Sequence, residues 1–413
     1  MEIVRISTAG SVDDGKSTLI GRLLYDNNAL TKEQEELVIK KTKEKGLADL
    51  DLSVITDGLI AEREQGITID VANIYFSTST RKFIIADSPG HIEYTRNMVT
   101  GASNSNLSII LVDARKGLLE QSHRHFYISQ LLELDNVIFC VNKMDLVDYS
   151  EDQFISIAIE IKAMVANFNP DIEFSIVPIS SLKGDNVVVS SNNMGWYKGK
   201  TLNQLLHESK ENKLKEVPFR YDVQQVFHVQ NEQFVDYRGY AGKVISGAIK
   251  VGETIVSLPS LKQSKVTEIR RYKDILEKAE AGDSVTISLA DEIDISRGSL
   301  LVKENAIPEP KNELISTLVW MDDKPALLNA KYLLKSGARQ FPVKINEINF
   351  TIDPIKLVEL NDSESIKLND ICSVKLRLSQ PAFLDSFKEN RHNGVFILID
   401  EQSNNTVALG IVK

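Results

Sequence analysis

A phosphate-binding pattern stands near the start of the chain. Residues 10–17 read Gly-Ser-Val-Asp-Asp-Gly-Lys-Ser, which fits GxxxxGK[ST] between a predicted strand and a predicted helix. The glycines let backbone N–H groups converge on phosphate oxygens, and the helix presents its positive N-terminus to the same anion. We expect Lys16 to reach the β- and γ-phosphates and the Ser17 hydroxyl to ligate Mg²⁺. The pattern predicts a nucleotide site but leaves the base open.

A second motif indicates the base. An apolar run over 137–141 leads into Asn142-Lys143-Met144-Asp145. The Asp145 carboxylate can accept hydrogen bonds from the N1–H and the exocyclic amine of guanine, and adenine would leave it unpaired. Asn-Lys-x-Asp is a weak signal alone. It gains weight because Asp87-Ser-Pro-Gly-His91 lies upstream and Ser180-Ser-Leu-Lys183 downstream, each at a predicted strand end.

The upstream motif carries residues suited to hydrolysis. Asp87 ends an apolar strand, where its carboxylate can hold Mg²⁺ through water, and Gly90 can offer its N–H to the γ-phosphate. His91 is placed to orient the attacking water. A lone histidine is more often a surface residue or a helix-capping residue, but the preceding Asp-x-x-Gly favours the functional interpretation.

A charged run separates these two motifs. Residues 61–70 read Ala-Glu-Arg-Glu-Gln-Gly-Ile-Thr-Ile-Asp. They can be a solvated helix face. Alternatively, they form a loop that is ordered only when γ-phosphate and Mg²⁺ are bound, with the Thr68 hydroxyl as a metal ligand.

The elements that must position these residues follow from hydrophobic period. Apolar runs alternate with amphipathic stretches in the first half, which predicts βα units and a mostly parallel sheet. Helical spacing follows the first loop, and ligand chemistry should gather at the carboxyl ends of the strands. The predicted strands are 2–7, 83–86, 107–112, 137–141 and 174–179, and the helical positions are Leu19, Ile20, Leu23 and Leu24.

The second half has a different pattern. A charged stretch closed by proline, 211–218, predicts a linker, and 307–311 predicts another break. Between and after them the helical period is mostly lost, and short β-rich runs alternate with glycines, which favours small antiparallel barrels.

Composition restricts the function classes. The chain has 413 residues, which allows two to four domains, and a net charge of −10, which opposes non-specific attraction to nucleic acid or anionic lipid. Cys140 and Cys372 each lie in an apolar run, as reduced thiols do in the cytoplasm. No apolar run approaches a membrane span and no signal-peptide core opens the chain, so we expect a complete cytosolic protein without membrane or nucleic-acid partners.

Together these motifs resemble the translation-factor class of GTPases, in which a GTP-binding domain precedes two β-barrels. Within that class the chain is most similar to the GTPase subunits of bacterial sulfate adenylyltransferases. The segments that carry the likeness are 10–17, 62–71, 94–98, 142–149, 194–199 and 291–298.

The resemblance implies an α/β P-loop GTPase domain followed by two all-β barrel domains, with limits at 1–213, 218–307 and 312–413. It implies a GTPase that couples GTP hydrolysis to the synthesis of adenylyl sulfate and pyrophosphate from ATP and sulfate. A separate catalytic small subunit would carry the adenylyl transfer. The cofactors would be GTP or GDP and Mg²⁺.

The resemblance also implies roles for individual residues. Lys16, Thr68 and His91 would be catalytic, and Ser17, Thr68 and Asp87 (through water) would hold the metal. The Lys143 stem would cover the base, and Val12 and Ile67 would screen His91 in the resting state. The implied GTP-binding residues are Gly10, Ser11, Val12, Asp13, Asp14, Gly15, Lys16, Ser17, Thr18, Asp87, Ser88, Pro89, Gly90, His91, Asn142, Lys143, Met144, Asp145, Ser180, Ser181 and Leu182.

Two alternatives remain open. An elongation factor that delivers aminoacyl-tRNA would share the fold, but such factors carry His at the positions of Ser11 and Asp14 and a Gly-Gly-Arg-His-type run that the segment from Trp320 lacks. A structural protein without nucleotide would show a damaged Lys16, Thr68, Asp87 or Asp145, and all four are intact. No second GxxxxGK[ST] follows Lys16, so we expect any adenylyl-sulfate kinase to be a different protein.

Overall fold

The computed structural model divides into two compact units, Met1–Lys213 with Asp353–Val358 and Leu214–Ile352 with Glu359–Lys413. The structure describes residues 2–56, 72–78, 80–87, 102, 105–134, 136–168, 172–209, 217–229, 237–353, 358–361 and 365–413. The elements below are those of the described residues.

The first unit alternates strands and helices. Its strands are β1 (Glu2–Ala9), β2 (Ala72–Ser77), β3 (Arg81–Asp87), β4 (Leu107–Asp113), β5 (Asn136–Asn142) and β6 (Phe174–Pro178). Its helices are α1 (Lys16–Asp26), α2 (Lys32–Glu44), α3 (Glu120–Leu131), α4 (Glu151–Phe168) and α5 (Leu202–Glu208), with 3-10 turns at Leu52–Ile55 and Met144–Val147. Among the described helices, none has both the length and the apolar character to cross a membrane.

The strands of the first unit form one sheet in the order β2-β3-β1-β4-β5-β6. Neighbouring strands from β3 to β6 pair in parallel, and this confirms the predicted mostly parallel sheet. The five predicted strands are all present, with ends that differ by a residue or two. β2 was not predicted. It pairs antiparallel with β3 at the sheet edge, and only Phe76 of its side chains is fully buried, so its apolar signal is short.

Helix α1 follows the first loop and packs on the sheet. Its predicted apolar positions Leu19, Ile20, Leu23 and Leu24 are all buried, and they join the core formed by β1, β3, β4 and β5. Each such side chain contributes about 1.5–3 kcal/mol when it leaves water. This packing fixes the N-terminus of α1 beside the carboxyl ends of the strands.

The second unit is built of antiparallel strands. The first group is β7 (Arg220–Val229), β8 (Tyr237–Ser246), β9 (Ala248–Lys250), β10 (Thr254–Leu258), β11 (Lys262–Arg271), β12 (Asp274–Leu276), β13 (Lys278–Glu280), β14 (Ser284–Leu289) and β15 (Leu300–Lys303). The second group is β16 (Lys311–Trp320), β17 (Lys331–Ser336), β18 (Arg339–Ile352), β19 (Glu359–Leu360), β20 (Ile371–Ala382), β21 (Val395–Asp400) and β22 (Thr406–Val412).

Each group closes into a barrel. In the first, the order β10-β15-β7-β8-β14-β11 is closed by pairing of β10 with β11. In the second, β17-β21-β22-β16-β20-β18 is closed by pairing of β17 with β18. Closure leaves no open sheet edge in either ring. The predicted antiparallel barrels are therefore confirmed, and residues 304–310, which include most of the predicted break, contain no strand.

A cluster of buried polar side chains lies between the two barrels, and we call it the barrel cluster. At its centre Arg220 of β7 donates to Asp385, from Nε to Oδ2 at 2.9 Å and from Nη2 to Oδ1 at 2.8 Å. Asn390 and Asn393 also donate to Asp385 Oδ2, at 2.9 and 2.8 Å. Arg339 donates to Asn393 Oδ1 at 2.6 Å, so the cluster is continuous.

Candidate nucleotide-binding site

Parallel pairing brings the sequence motifs to one edge of the sheet in the first unit. The 10–15 loop leaves the end of β1, Asp87 ends β3, Asn142 ends β5, and Ser180 follows β6. Because these strands are parallel, their carboxyl ends share one edge, where ligands of open α/β sheets bind.

The first loop is shaped by its own backbone bonds. Asp14 N–H donates to Ser11 O at 3.2 Å, and Ser11 N–H donates to Asp14 Oδ2 at 2.7 Å. Gly15 has φ +92°, and a Cβ there would lie 2.5 Å from Asn142 Nδ2. Only glycine meets both conditions without strain, so the loop conformation and its contact with the second motif depend on this residue.

Two charged side chains are buried in this loop. Lys16 is 8% exposed, and its Nζ reaches Gly10 O at 3.4 Å. Burial lowers the pKa of Lys16, against the attraction of Asp87 and Asp14. Burial also raises the pKa of Asp14 to about 6. Within the described part of the chain, Asp14 Oδ1 and the Ser11 hydroxyl have no hydrogen-bond partner. Incompletely bonded buried charge of this kind is typical of a ligand site.

Asp87 lies next to the loop through the strand register. Thr8 of β1 is opposite Asp87 of β3, and the Thr8 hydroxyl donates to Asp87 Oδ1 at 3.3 Å. Asp87 is buried, and its strand partner Thr8 lies two residues before the start of the first loop at Gly10. The structure therefore brings the predicted metal-side carboxylate beside the predicted phosphate loop.

Asn142 joins the two halves of the site. Its Nδ2 donates to Asp14 O at 2.7 Å, in the first loop. Its Oδ1 accepts from the N–H and from the hydroxyl of Ser181, both at 2.9 Å. One buried amide thus sets the spacing between the loop predicted to hold phosphate and the segment predicted to hold the base.

Lys143 makes a second link. It adopts a left-handed conformation with φ 65°, and its Nζ donates to Asp13 O and pairs with Asp113 Oδ2 at 3.0 Å. Asp145 lies beyond it in a 3-10 turn, where its Oδ1 accepts from the Ser180 hydroxyl at 2.6 Å. Met144 between them is buried, with its N–H bonded to Ile179 O at 3.2 Å.

Asp113 belongs to this arrangement and was not predicted. It ends β4 and also accepts from Arg115, Nε to Oδ1 at 3.0 Å and Nη2 to Oδ2 at 2.7 Å. Burial favours the neutral acid, but the bonds from Arg115 and Lys143 outweigh it and hold the pKa of Asp113 far below its usual range. The signal that marks Asp87, an acid at the end of an apolar strand, was equally present at Asp113.

Several predicted site residues lie outside the described residues: Ile67, Thr68, Ser88, Pro89, Gly90 and His91. The remaining ones, from Gly10 to Thr18 and at Asp87, Asn142 to Asp145 and Ser180 to Leu182, lie at the sheet edge described above. Within the described ranges there is no group of three or more His, Cys, Asp or Glu side chains that could hold a metal alone. Ser17 and Asp87 are hard oxygen donors, which suit Mg²⁺ when phosphate and water supply the other ligands.

Comparison with known proteins defines the class. Residues 1–257 match the family model of the elongation factor Tu GTP-binding domain, and residues 313–413 match that of the GTP-eEF1A C-terminal domain-like family. The sheet order, the P-loop and the two barrels are thus those of a translation-factor-type GTPase.

Full-length relatives are more specific. The chain is 45% identical over 414 residues to sulfate adenylyltransferase subunit 1 of Francisella tularensis subsp. novicida, covering 100% of this chain and 87% of the relative. The corresponding proteins of Colwellia psychrerythraea and Vibrio cholerae are 44% and 45% identical, again over 100% of this chain, covering 88% and 86% of theirs. The chain belongs to the sulfate adenylyltransferase subunit 1 family.

Solved structures were also matched. The chain is similar to sup35 complexed with GDP, with a TM-score of 0.44 and 20% identity, covering 100% of this chain and 93% of that one.

Proposed function

We propose that this chain binds GTP and GDP with Mg²⁺ at the carboxyl edge of the first unit's sheet and hydrolyses GTP. The observation that carries the proposal is that the Asn142 side chain hydrogen-bonds to both loops. It donates to Asp14 in one loop and accepts from Ser181 in the other. A nucleotide needs a phosphate site and a base site at a fixed distance from each other. The Asn142 side chain fixes that distance by linking the two loops.

At the phosphate end, the N–H groups of residues 10–18 would surround the phosphates, and Lys16 would offset their charge. The incompletely bonded Lys16 and Ser11 support this role, because phosphate oxygens would supply the missing partners. Ser17 and Thr68 would hold Mg²⁺, with Asp87 acting through water. The ion would neutralise charge on the phosphates when bound.

At the base end, Asp145 would accept from the guanine N1–H and amine, and Asn142 would contact the ring beside it. The Lys143 stem would cover one face, and the backbone of Ser180 to Leu182 would complete the contacts. Calorimetric titration with Mg·GDP and Mg·ADP tests this assignment. We expect binding of GDP at least about 100-fold tighter than ADP, because ADP leaves a carboxylate unpaired. Equal affinities would contradict it.

For hydrolysis, His91 would orient the attacking water and Gly90 would bind the γ-phosphate. His91→Ala should leave GTP affinity within about twofold and slow single-turnover hydrolysis by about 10²–10³-fold, since it removes water positioning rather than binding. An unchanged single-turnover rate would exclude the role.

We further propose that the chain is the regulatory GTPase of a two-subunit sulfate adenylyltransferase in the cytoplasm. A separate catalytic small subunit would convert ATP and sulfate to adenylyl sulfate and pyrophosphate, and GTP hydrolysis would drive this unfavourable step. Support comes from relatives of 45% identity, named subunit 1, that align with the whole chain. We also propose domain limits of 1–213, 218–307 and 312–413.

The test is to co-express the chain with a sulfate adenylyltransferase small subunit and to measure pyrophosphate release from ATP and sulfate. We expect co-purification and GTP-stimulated release, with no stimulation when the chain carries Lys16→Ala. Release that ignores GTP would overturn the coupling. Tight binding of aminoacyl-tRNA instead would favour an elongation factor.

A further inference from the structure

We call the segment Ser180–Gly184 the base loop. Nearly all its backbone N–H groups donate to other groups of the protein. Ser181 N–H donates to Asn142 Oδ1 at 2.9 Å and Lys183 N–H to Ser180 Oγ at 3.2 Å. Gly184 N–H donates to Ser180 O at 2.8 Å. Within the described part of the chain, the N–H of Leu182 has no acceptor. This donor is therefore available to a ligand.

Arg22 of α1 holds the opposite side of the same loop. Its Nε donates to Ser181 O at 3.1 Å, and its Nη2 donates to Leu182 O. Its Nη1 pairs with Asp26 Oδ1 at 3.4 Å, one turn further along the helix. The Arg22 side chain is only 12% exposed, whereas Leu182 and its bond to Arg22 lie at the surface. Hydrogen bonds from a charged donor are stronger than those between neutral groups.

The base loop packs against Arg22 and Asp26 at Gly184. Gly184 has φ +85°, and a Cβ there would lie 3.4 Å from Asp26 Oδ2 and 3.5 Å from Arg22 Cδ. The left-handed backbone conformation favours glycine, whereas a Cβ at these distances would make only ordinary contacts. The loop therefore rests directly on the Arg22–Asp26 pair of α1.

We propose that Arg22 is a positioning residue that directs the Leu182 N–H toward the guanine O6. In a planar trans peptide the C=O of one residue and the N–H of the next point in opposite directions. Because Arg22 binds Ser181 O, it turns the Leu182 N–H away from α1. Guanine O6 is an acceptor, whereas adenine has an amine at that position. Since α1 also begins at Lys16, one helix positions both the phosphate loop and the base loop.

This inference rests on the proposed guanine-nucleotide function, and three nucleotides separate the two. Inosine diphosphate lacks the 2-amino group that Asp145 would bind. In 6-thioguanosine diphosphate a sulfur, which is a weaker acceptor, replaces O6. The ratio of GDP affinity to each analogue therefore reports on one side of the base alone. If wild-type protein fails to bind GDP, the proposed function fails and the role of Arg22 fails with it.

The experiment compares wild type with Arg22→Met, which keeps the aliphatic stem, and Arg22→Lys, which keeps the charge. We expect Arg22→Met to weaken GDP binding about 10-fold and to bring the GDP to 6-thio-GDP ratio close to one, while the GDP to IDP ratio stays at the wild-type value. Arg22→Lys should lie between the two, since ammonium cannot bind both carbonyls in the same geometry.

Arg81→Met is the matched control. Arg81 lies in the same unit and also donates to backbone carbonyls, Ser209 O at 2.6 Å and Leu206 O at 3.3 Å. It should leave both ratios unchanged even where it lowers thermal stability. Wild-type ratios in Arg22→Met and Arg22→Lys, or an equal fall of both ratios, would overturn the positioning role. Should Arg22→Met fail to fold, the Arg22→Lys ratios decide the question.

Discussion

Among the described residues, buried charge is bonded differently in the first loop of the GTPase unit and at the Arg220–Asp385 pair of the barrel cluster. In the barrel cluster Arg220 makes four hydrogen bonds, two to Asp385 and two to backbone carbonyls. In the first loop Lys16 has a single bond of 3.4 Å to a carbonyl, and one oxygen of Asp14 has no partner among the described residues.

We expect such a difference between a charge with a structural role and a charge that binds a ligand. A buried pair that is fully hydrogen-bonded can persist without a ligand, and removing one member leaves the other charge uncompensated. A buried charge with few partners is costly in the free protein, and it is retained where a ligand supplies the missing bonds. Mutations at the two places should therefore act on different quantities, binding at one and stability at the other.

The largest expected effect is at Lys16. Lys16→Ala should reduce GTP affinity by about 10³-fold or more, since it removes the charge facing the phosphates in a buried site. The free energy of unfolding without nucleotide should not fall, because burial of the ammonium outweighs its attraction to Asp87 and Asp14. Calorimetric titration and urea denaturation measure the two quantities. Retained GTP turnover would refute the phosphate-loop assignment.

The barrel cluster should respond in the opposite way. Asp385→Ala should lower the free energy of unfolding of the second unit by about 3–5 kcal/mol, because the Arg220 charge remains buried without its partner. Hydrogen exchange of β16 and β20 amides reports on this unit separately, which matters in a chain with two units. GDP affinity should stay at the wild-type value. A loss of stability below 1 kcal/mol would remove the contrast between the two sites.

The cost of burying the Asp14 charge should make the stability of the first unit depend on pH. Its pKa is raised from 3.8 to about 6, so the folded state keeps the proton over a pH range in which the unfolded state has lost it. The contribution of Asp14 to stability is therefore greatest below pH 4 and declines as the pH rises to 6.

Asp14→Asn removes this penalty and keeps an oxygen to accept from Ser11 N–H. We expect the variant to be more stable than wild type at pH 7 by about 1–3 kcal/mol, with the difference vanishing near pH 4. Urea denaturation at both pH values, read through exchange of β1 amides, measures it. A variant that is less stable than wild type at pH 7 would show that the ionised carboxylate is compensated.

The smallest effect is expected at an exposed pair. Glu313 and Lys375 pair across β16 and β20 at 2.8 Å, with half of the Glu313 side chain exposed. Glu313→Gln should change the unfolding free energy by less than about 1 kcal/mol, because water screens the pair. It is the matched control for Asp385→Ala, and a comparable loss from both variants would mean that burial does not explain the effect.

Much of the fold could be predicted because it depends on the spacing of apolar residues along the chain. The alternation of apolar runs with helical spacing gave the parallel strands, and glycine-punctuated β runs gave the barrels. β2 was missed because a single buried phenylalanine at a sheet edge carries little apolar signal. Its pairing with β3 is a tertiary preference that local sequence does not encode.

The residues of the candidate site also fall into those that the sequence could locate and those that it could not. Motifs with fixed spacing, such as Gly10 to Ser17 and Asn142 to Asp145, could be located from residue types alone. Arg22 and Asp113 could not be ranked, since their importance arises from partners 159 and 30 positions away in the chain. Contacts between strand ends depend on the sheet order, which pattern alone leaves undetermined.

The proposed guanine-nucleotide site is tested most directly by exchanging the hydrogen-bonding pattern at Asp145. In Asp145→Asn the remaining oxygen can still accept from the Ser180 hydroxyl, while the amide NH₂ replaces the second acceptor and suits the 2-oxo group of xanthine. Calorimetry should show wild-type protein binding GDP over xanthosine diphosphate, and the variant preferring xanthosine diphosphate, with the ratio shifted by about 10²-fold or more. Asp148→Asn, at an exposed neighbour, should keep the wild-type preference. An Asp145→Asn protein that still prefers GDP would contradict the assignment of this edge as a guanine site.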